Sequence, residues 1–150
     1  MKLRDYVYVF LVFLLVLTAC QPAAKGGIRI EKAWGRSSPK IATAGAFYMT
    51  IYNDANQDDK LVGGSSPACG MIELHETVMA PDGTMKMQPV AGGIPIPAKG
   101  KAELKVGGLH VMCMDKKAEY FEVGKKVPLT LQFEKGGALS IEVEIREGMP

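Results

Sequence analysis

From Ile28 onward, apolar and polar positions alternate in short runs separated by turn residues. Alternation of this kind marks a strand with one face buried. Ile28-Arg29-Ile30-Glu31 opens the pattern and predicts a strand over residues 28–34. Residues 45–52 (GAFYMTIY) are rich in strand formers, and residues 60–64 predict a weaker strand between two turns. Residues 70–78 (GMIELHETV) place Ile72 and Leu74 inward and Glu73, His75 and Thr77 outward. Pro81-Asp82-Gly83 is a strong turn signal and returns the chain into a strand over 85–90. Ile94-Pro95-Ile96-Pro97 reads as an edge segment, because proline donates nothing to a ladder. Residues 102–106 and 109–114 predict strands on either side of Gly107-Gly108, and residues 127–134 and 138–146 predict a closing hairpin. No ten-residue stretch beyond the leader carries a helical apolar period. The expected fold is all-β, a sandwich or small Greek-key barrel.

The first residues break this pattern. Lys2 and Arg4 precede a purely apolar run over residues 6–17 (YVYVFLVFLLVL). The run has signal-peptide length and falls short of the roughly 20 residues of a membrane span. It ends in Leu17-Thr18-Ala19-Cys20, which resembles a bacterial lipobox. That resemblance implies a signal peptide over residues 1–19, lipidation of Cys20, a short tether over 20–27 and a folded domain over 28–150. An ordinary signal peptide with an incidental cysteine, or an uncleaved anchor, is the plainer alternative. On the lipobox reading the protein is exported and held to a bacterial membrane, in the periplasm or at the cell surface. Several acyl chains on one residue anchor a protein stably.

Charge adds little. The formal net charge is +2, with no basic stripe, which gives no reason to expect nucleic acid. A nucleophile elbow, a paired-histidine metal motif and a phosphate loop are all missing from the sequence, so the chain reads as a non-enzyme.

Candidate chemistry concentrates in Leu109-His110-Val111-Met112-Cys113-Met114. On a strand, His110, Met112 and Met114 share one face and Leu109, Val111 and Cys113 the other. The chain holds nine methionines but only two histidines, and Met71, Met79, Met85, Met87, Met112 and Met114 all fall in the same third as both histidines. Methionine commonly fills core gaps. Its gathering around the only histidines argues for a soft metal ion, above all Cu(I), held by thioether and imidazole. Zinc prefers thiolate, imidazole and carboxylate, and calcium and magnesium want oxygen. Cys113 is expected as a core thiol. Cys69 and Cys113 are the one intramolecular pair left once Cys20 is lipidated, and the sequence leaves their geometry open.

Seven ordered segments resemble the periplasmic copper chaperone family PCuAC. They are Ala33-Trp34-Gly35-Arg36, Thr43-Ala44-Gly45-Ala46-Phe47-Tyr48-Met49, Glu73-Leu74-His75-Glu76, Asp82-Gly83-Thr84-Met85-Lys86-Met87-Gln88-Pro89-Val90, Ile96-Pro97-Ala98-Lys99-Gly100, Gly107-Gly108-Leu109-His110-Val111-Met112 and Val127-Pro128-Leu129-Thr130-Leu131. The resemblance implies a cupredoxin-like β-sandwich that binds Cu(I) through His75, Met87, His110 and Met112. It also implies delivery to the CuA site of cytochrome c oxidase subunit II, alongside a thioredoxin-like copper chaperone. The spacing from His75 to Met87 is one residue longer than the family pattern, which leaves Met85 as a substitute ligand and Met114 as an accessory one. The site is expected at the surface, rimmed by Met79, Met85 and Met114. A buried His110 hydrogen-bonded to backbone would overturn that placement.

Two other readings use the same residues. A blue-copper electron carrier would need the Cys113 thiolate with His75, His110 and a methionine. A metal-free surface lipoprotein would bind a protein partner through its sandwich edge.

Overall fold

A computed structural model of the chain describes residues 27–148. The expected signal peptide, Cys20 and the tether up to residue 26 lie outside the described residues. Ten strands form: β1 (Ile28–Arg36), β2 (Ala44–Asn53), β3 (Asp59–Ser65), β4 (Met71–Met79), β5 (Met85–Pro89), β6 (Ile94–Ile96), β7 (Lys101–Leu104), β8 (Leu109–Met114), β9 (Lys126–Phe133) and β10 (Gly137–Arg146). The one helical element described is a single 3-10 turn, Ala118–Tyr120. The strands follow the hydrogen-bonded order β5-β4-β8-β2-β1-β10-β9-β3-β6, with β7 also pairing β2. This path curls on itself, so that β3 near one end packs against β4 near the other. Phe47, Ile51, Leu61, Val111, Leu129 and Ile145 are fully buried between the layers. The all-β sandwich expected from the alternation is the observed architecture. The Ile94-Pro95-Ile96 segment is an edge strand as expected, paired only to β3.

Strand β1 runs past the predicted end at Trp34, and it is bulged. Its register against β2 shifts between Glu31 and Trp34, where Lys32 takes a left-handed φ of 53°. Before the bulge Ile30 pairs with Ile51 of the core face, and after it Trp34 pairs with Tyr48 of the outer face. One extra residue therefore sends Trp34 to the side opposite Ile30 despite their even spacing.

Two buried polar side chains close the loops. The Asp59 carboxylate accepts hydrogen bonds from the backbone N–H groups of Lys60, Lys135 and Gly136 and so ties β3 to the β9–β10 turn. Asn53 donates to the carbonyls of Gln57 and Ile96 and accepts from Ala55 N–H. Gly45 is required by packing: a Cβ there would lie 2.3 Å from the Phe121 ring, which stacks against Phe47 with centroids 5.6 Å apart.

Cys69 and Cys113 are joined by a disulfide, with Cα atoms 5.3 Å apart. Cys113 faces the core as its strand parity predicts, and it is fully buried. The core placement expected for Cys113 holds, and the pairing the sequence left open is made, so a disulfide sulfur stands there in place of a thiol. The short approach between the β3–β4 connection and β8 brings a second sulfur within bonding distance.

Candidate metal centre

Strands β4 and β8 pair antiparallel with His75 directly opposite His110, Glu73 opposite Met112 and Met71 opposite Met114. Strand β5 pairs the other side of β4, with Thr77 opposite Met87 and Met79 opposite Met85. Directly opposed residues share a sheet face. The two histidines and six methionines named from the sequence thus lie on one face, the one turned away from the core. The imidazoles meet edge to face, with ring centroids 5.9 Å apart. Met112 and Met87 each stand one same-face step, about 7 Å, from the histidine row, on opposite sides of it. Met85 and Met114 stand two steps away. The β4–β5 register leaves Met87 nearer the histidines than Met85.

Each imidazole has one nitrogen occupied. His75 Nε2 lies 2.7 Å from Glu73 Oε2, and His110 Nδ1 lies 2.9 Å from the Gly108 carbonyl. Both partners only accept, so both nitrogens carry the hydrogen. The remaining nitrogens are His75 Nδ1 and His110 Nε2. His75 Nδ1 is buried with no hydrogen-bond partner. Such an atom costs about 1–3 kcal/mol when left unpaired. A bound cation would satisfy it. Two lone-pair nitrogens on rings whose centroids lie 5.9 Å apart, flanked by thioethers, therefore fit a soft metal ion. Each also has the support typical of a metal-binding histidine, whose second ring nitrogen donates to a carboxylate or carbonyl.

His110 is only 3 % exposed. Burial together with its bond to the Gly108 carbonyl is the arrangement set against a surface site, and the expectation of an open site at His110 is corrected. The cover comes from neighbouring strands. Tyr48 lies 6.2 Å from His110 and Trp34 lies 4.8 Å from Tyr48, ring centroid to ring centroid. Trp34, Tyr48, His110 and His75 form a row across four strands. The bond to Gly108 uses one nitrogen and leaves the other, so burial removes solvent rather than the donor. Burial also pushes the Tyr48 phenol above its usual pKa, with Arg36 acting the other way. Tyr48 stays a neutral wall beside His110.

Openness enters from the opposite side. Met79, Met85 and Met87 are 71 %, 57 % and 62 % exposed, and every residue of β5 is exposed. Among the described residues, no group of three or more His, Cys, Asp or Glu is placed to hold a metal. A hard or zinc-type centre has no such donor set among them, and the candidate site is completed by thioethers. The disulfide removes the Cys113 thiolate, and with it the blue-copper reading.

Glu73, Tyr48 and Trp34 are the functional neighbours that strand reading left without a role. Glu73 was legible two residues before His75 on its own face. Trp34 was hidden by the bulge.

The chain resembles known proteins in both sequence and fold. The family model described as "Putative lipoprotein LpqE-like" matches residues 28–145. A Leifsonia xyli subsp. xyli protein with a similar lipoprotein description is 32 % identical over 121 residues, covering 81 % of this chain and 70 % of the relative. The copper-bound PCuAC domain from PmoF2 superposes with a TM-score of 0.68 at 26 % identity, covering 84 % of this chain and 97 % of that domain. The Cu(I) form of DR1885 from Deinococcus radiodurans superposes with a TM-score of 0.61 at 28 % identity, covering 88 % and 85 %. The outward His–Met face thus sits on the cupredoxin-like fold of PCuAC domains, and the chain belongs to the LpqE-like family.

Proposed function

We propose that this protein is an exported, lipid-anchored Cu(I) metallochaperone, a carrier rather than an enzyme, with His75, His110, Met87 and Met112 as ligands. The observation that carries the reading is the buried, unpartnered Nδ1 of His75 beside His110, on a face flanked by thioethers. The copper-bound PmoF2 domain and Cu(I)-DR1885 support it by likeness of fold and sequence. The lipoprotein descriptions of its relatives support export and anchoring, as does the disulfide, since such bonds persist in oxidising compartments. No helix among the described residues is long and apolar enough to cross a membrane.

The chemistry follows from the donors. Imidazole and thioether are neutral, so they hold Cu(I) by soft-ligand preference without the charge attraction of thiolates. They release it by exchange, one thioether at a time, to an incoming ligand. The recipient in this reading is the CuA site of cytochrome c oxidase subunit II, with a thioredoxin-like copper chaperone as a second partner.

An anaerobic competition titration with a chromophoric Cu(I) chelator tests it. Against the chelator the parent is expected to hold one tightly bound Cu(I) per chain, Met87→Ala to weaken that binding, and Met85→Ala to leave it near the parent. Damage by Met85→Ala instead would keep the function and move the ligand. No binding by the parent would return the protein to the class of metal-free surface lipoproteins.

A further inference from the structure

The four assigned ligands do not account for the methionines beyond them. Of the described methionines only Met49 packs in the core; Met71, Met79, Met85, Met87, Met112 and Met114 all face outward. Core filling explains none of the three at the β4–β5 hairpin, which are more than half exposed. Their arrangement is specific. Met79 and Met85 are direct cross-strand partners at the last pair before the turn, and Met87 is one same-face step inward from Met85. Steps of about 7 Å are within the combined reach of two flexible thioether side chains. The three sulfurs can therefore converge on one ion. Met87 belongs to both this group and the assigned inner site, whereas buried Tyr48 and Trp34 flank the histidines on the far side.

We propose that Met79, Met85 and Met87 form an outer, all-thioether Cu(I) site through which the ion enters and leaves the inner site. The inference rests on the copper reading above. Transfer breaks the Cu–N bonds to His75 and His110 and the Cu–S bond to Met112, and forms Cu–S bonds to Met79 and Met85. Met87 stays bound throughout. The ion remains Cu(I), and no proton or electron moves. The outer site is the weaker one, since it lacks imidazole, and it is the one a recipient's ligands can reach.

The test is NMR of the full chain in detergent micelles, labelled at the methionine methyls, titrated anaerobically with Cu(I) supplied as its acetonitrile complex. The first equivalent is expected to shift the Met87 and Met112 methyls. The second is expected to shift Met79 and Met85 together and Met87 again, its sulfur then bridging the two ions through its two lone pairs, at a several-fold higher free Cu(I). A Met79→Leu, Met85→Leu double variant keeps side-chain bulk on an exposed face. It is expected to bind the first equivalent as the parent does, lose the second response, and exchange Cu(I) with unloaded copies several-fold more slowly. Unmoved Met79 and Met85 methyls through two equivalents overturn the outer site. So does an equal response from Met71 and Met114, which marks indiscriminate thioether binding. Loss of the first equivalent in the double variant overturns it by making these residues primary ligands. A parent with no methyl response at all overturns the copper reading as well, which separates the two failures.

Discussion

The Glu73 carboxylate decides which nitrogen of His75 is free. By accepting from Nε2–H it leaves Nδ1 bare, while Gly108 leaves His110 with Nε2. In the proposed site the two histidines would therefore offer opposite nitrogens to the ion. Removing an outer-shell partner of this kind costs about 10–100-fold in metal affinity. Glu73→Ala is expected to weaken Cu(I) binding by that factor. It should also let His75 sample the Nδ1–H tautomer, which ring nitrogen shifts report. A tautomer unchanged from the parent would show that Glu73 does not set it. Strand parity alone placed Glu73, His75 and Thr77 on one face and His110 and Met112 on another strand's face, and register joined the two. Which nitrogen was free was not legible, because it depends on a 2.7 Å contact.

At the level of elements, the alternation gave the strands and their inward and outward faces. It failed on exposure at His110, which sits between the rings of His75 and Tyr48 on neighbouring strands. The bulge in β1, one residue that changes no hydropathy, carries Trp34 across the sheet to stand beside Tyr48. The Thr43-Ala44-Gly45-Ala46-Phe47 run was recognisable as a segment without its reason being visible. That reason is the Phe121 ring, which occupies the space over Gly45. Gly45→Ala is expected to lower stability by about 1–3 kcal/mol, as overpacking of a filled core does. Chemical denaturation of the variant measures it. Pairing with Phe121→Leu should recover part of the loss, since the smaller side chain vacates the contact.

Across the whole molecule, the disulfide spans 44 residues and fastens the entry of β4 to β8, the two strands that carry the histidines. In the chain-entropy description, closing a loop of that length contributes about 4 kcal/mol. Reduction, or a Cys69→Ala, Cys113→Ala double variant, is expected to lower Tm while leaving every proposed copper ligand in place. Loss of Cu(I) binding at a temperature where the variant remains folded would instead tie the bond to the site itself. With Cys20 set aside as the lipidation site, the sequence offered one intramolecular pairing; whether its two cysteines met depended on how the β3–β4 connection passes β8. The core draws its cohesion from the inner faces of the strands, and the candidate site takes its donors from the outer ones. A family built this way can lose, gain or retune a metal face by drift at exposed positions such as Met79, Met85 and Met87 without unfolding its members. Descendants that have abandoned the cargo should persist as well-folded proteins, recognisable by an intact core beneath an altered surface.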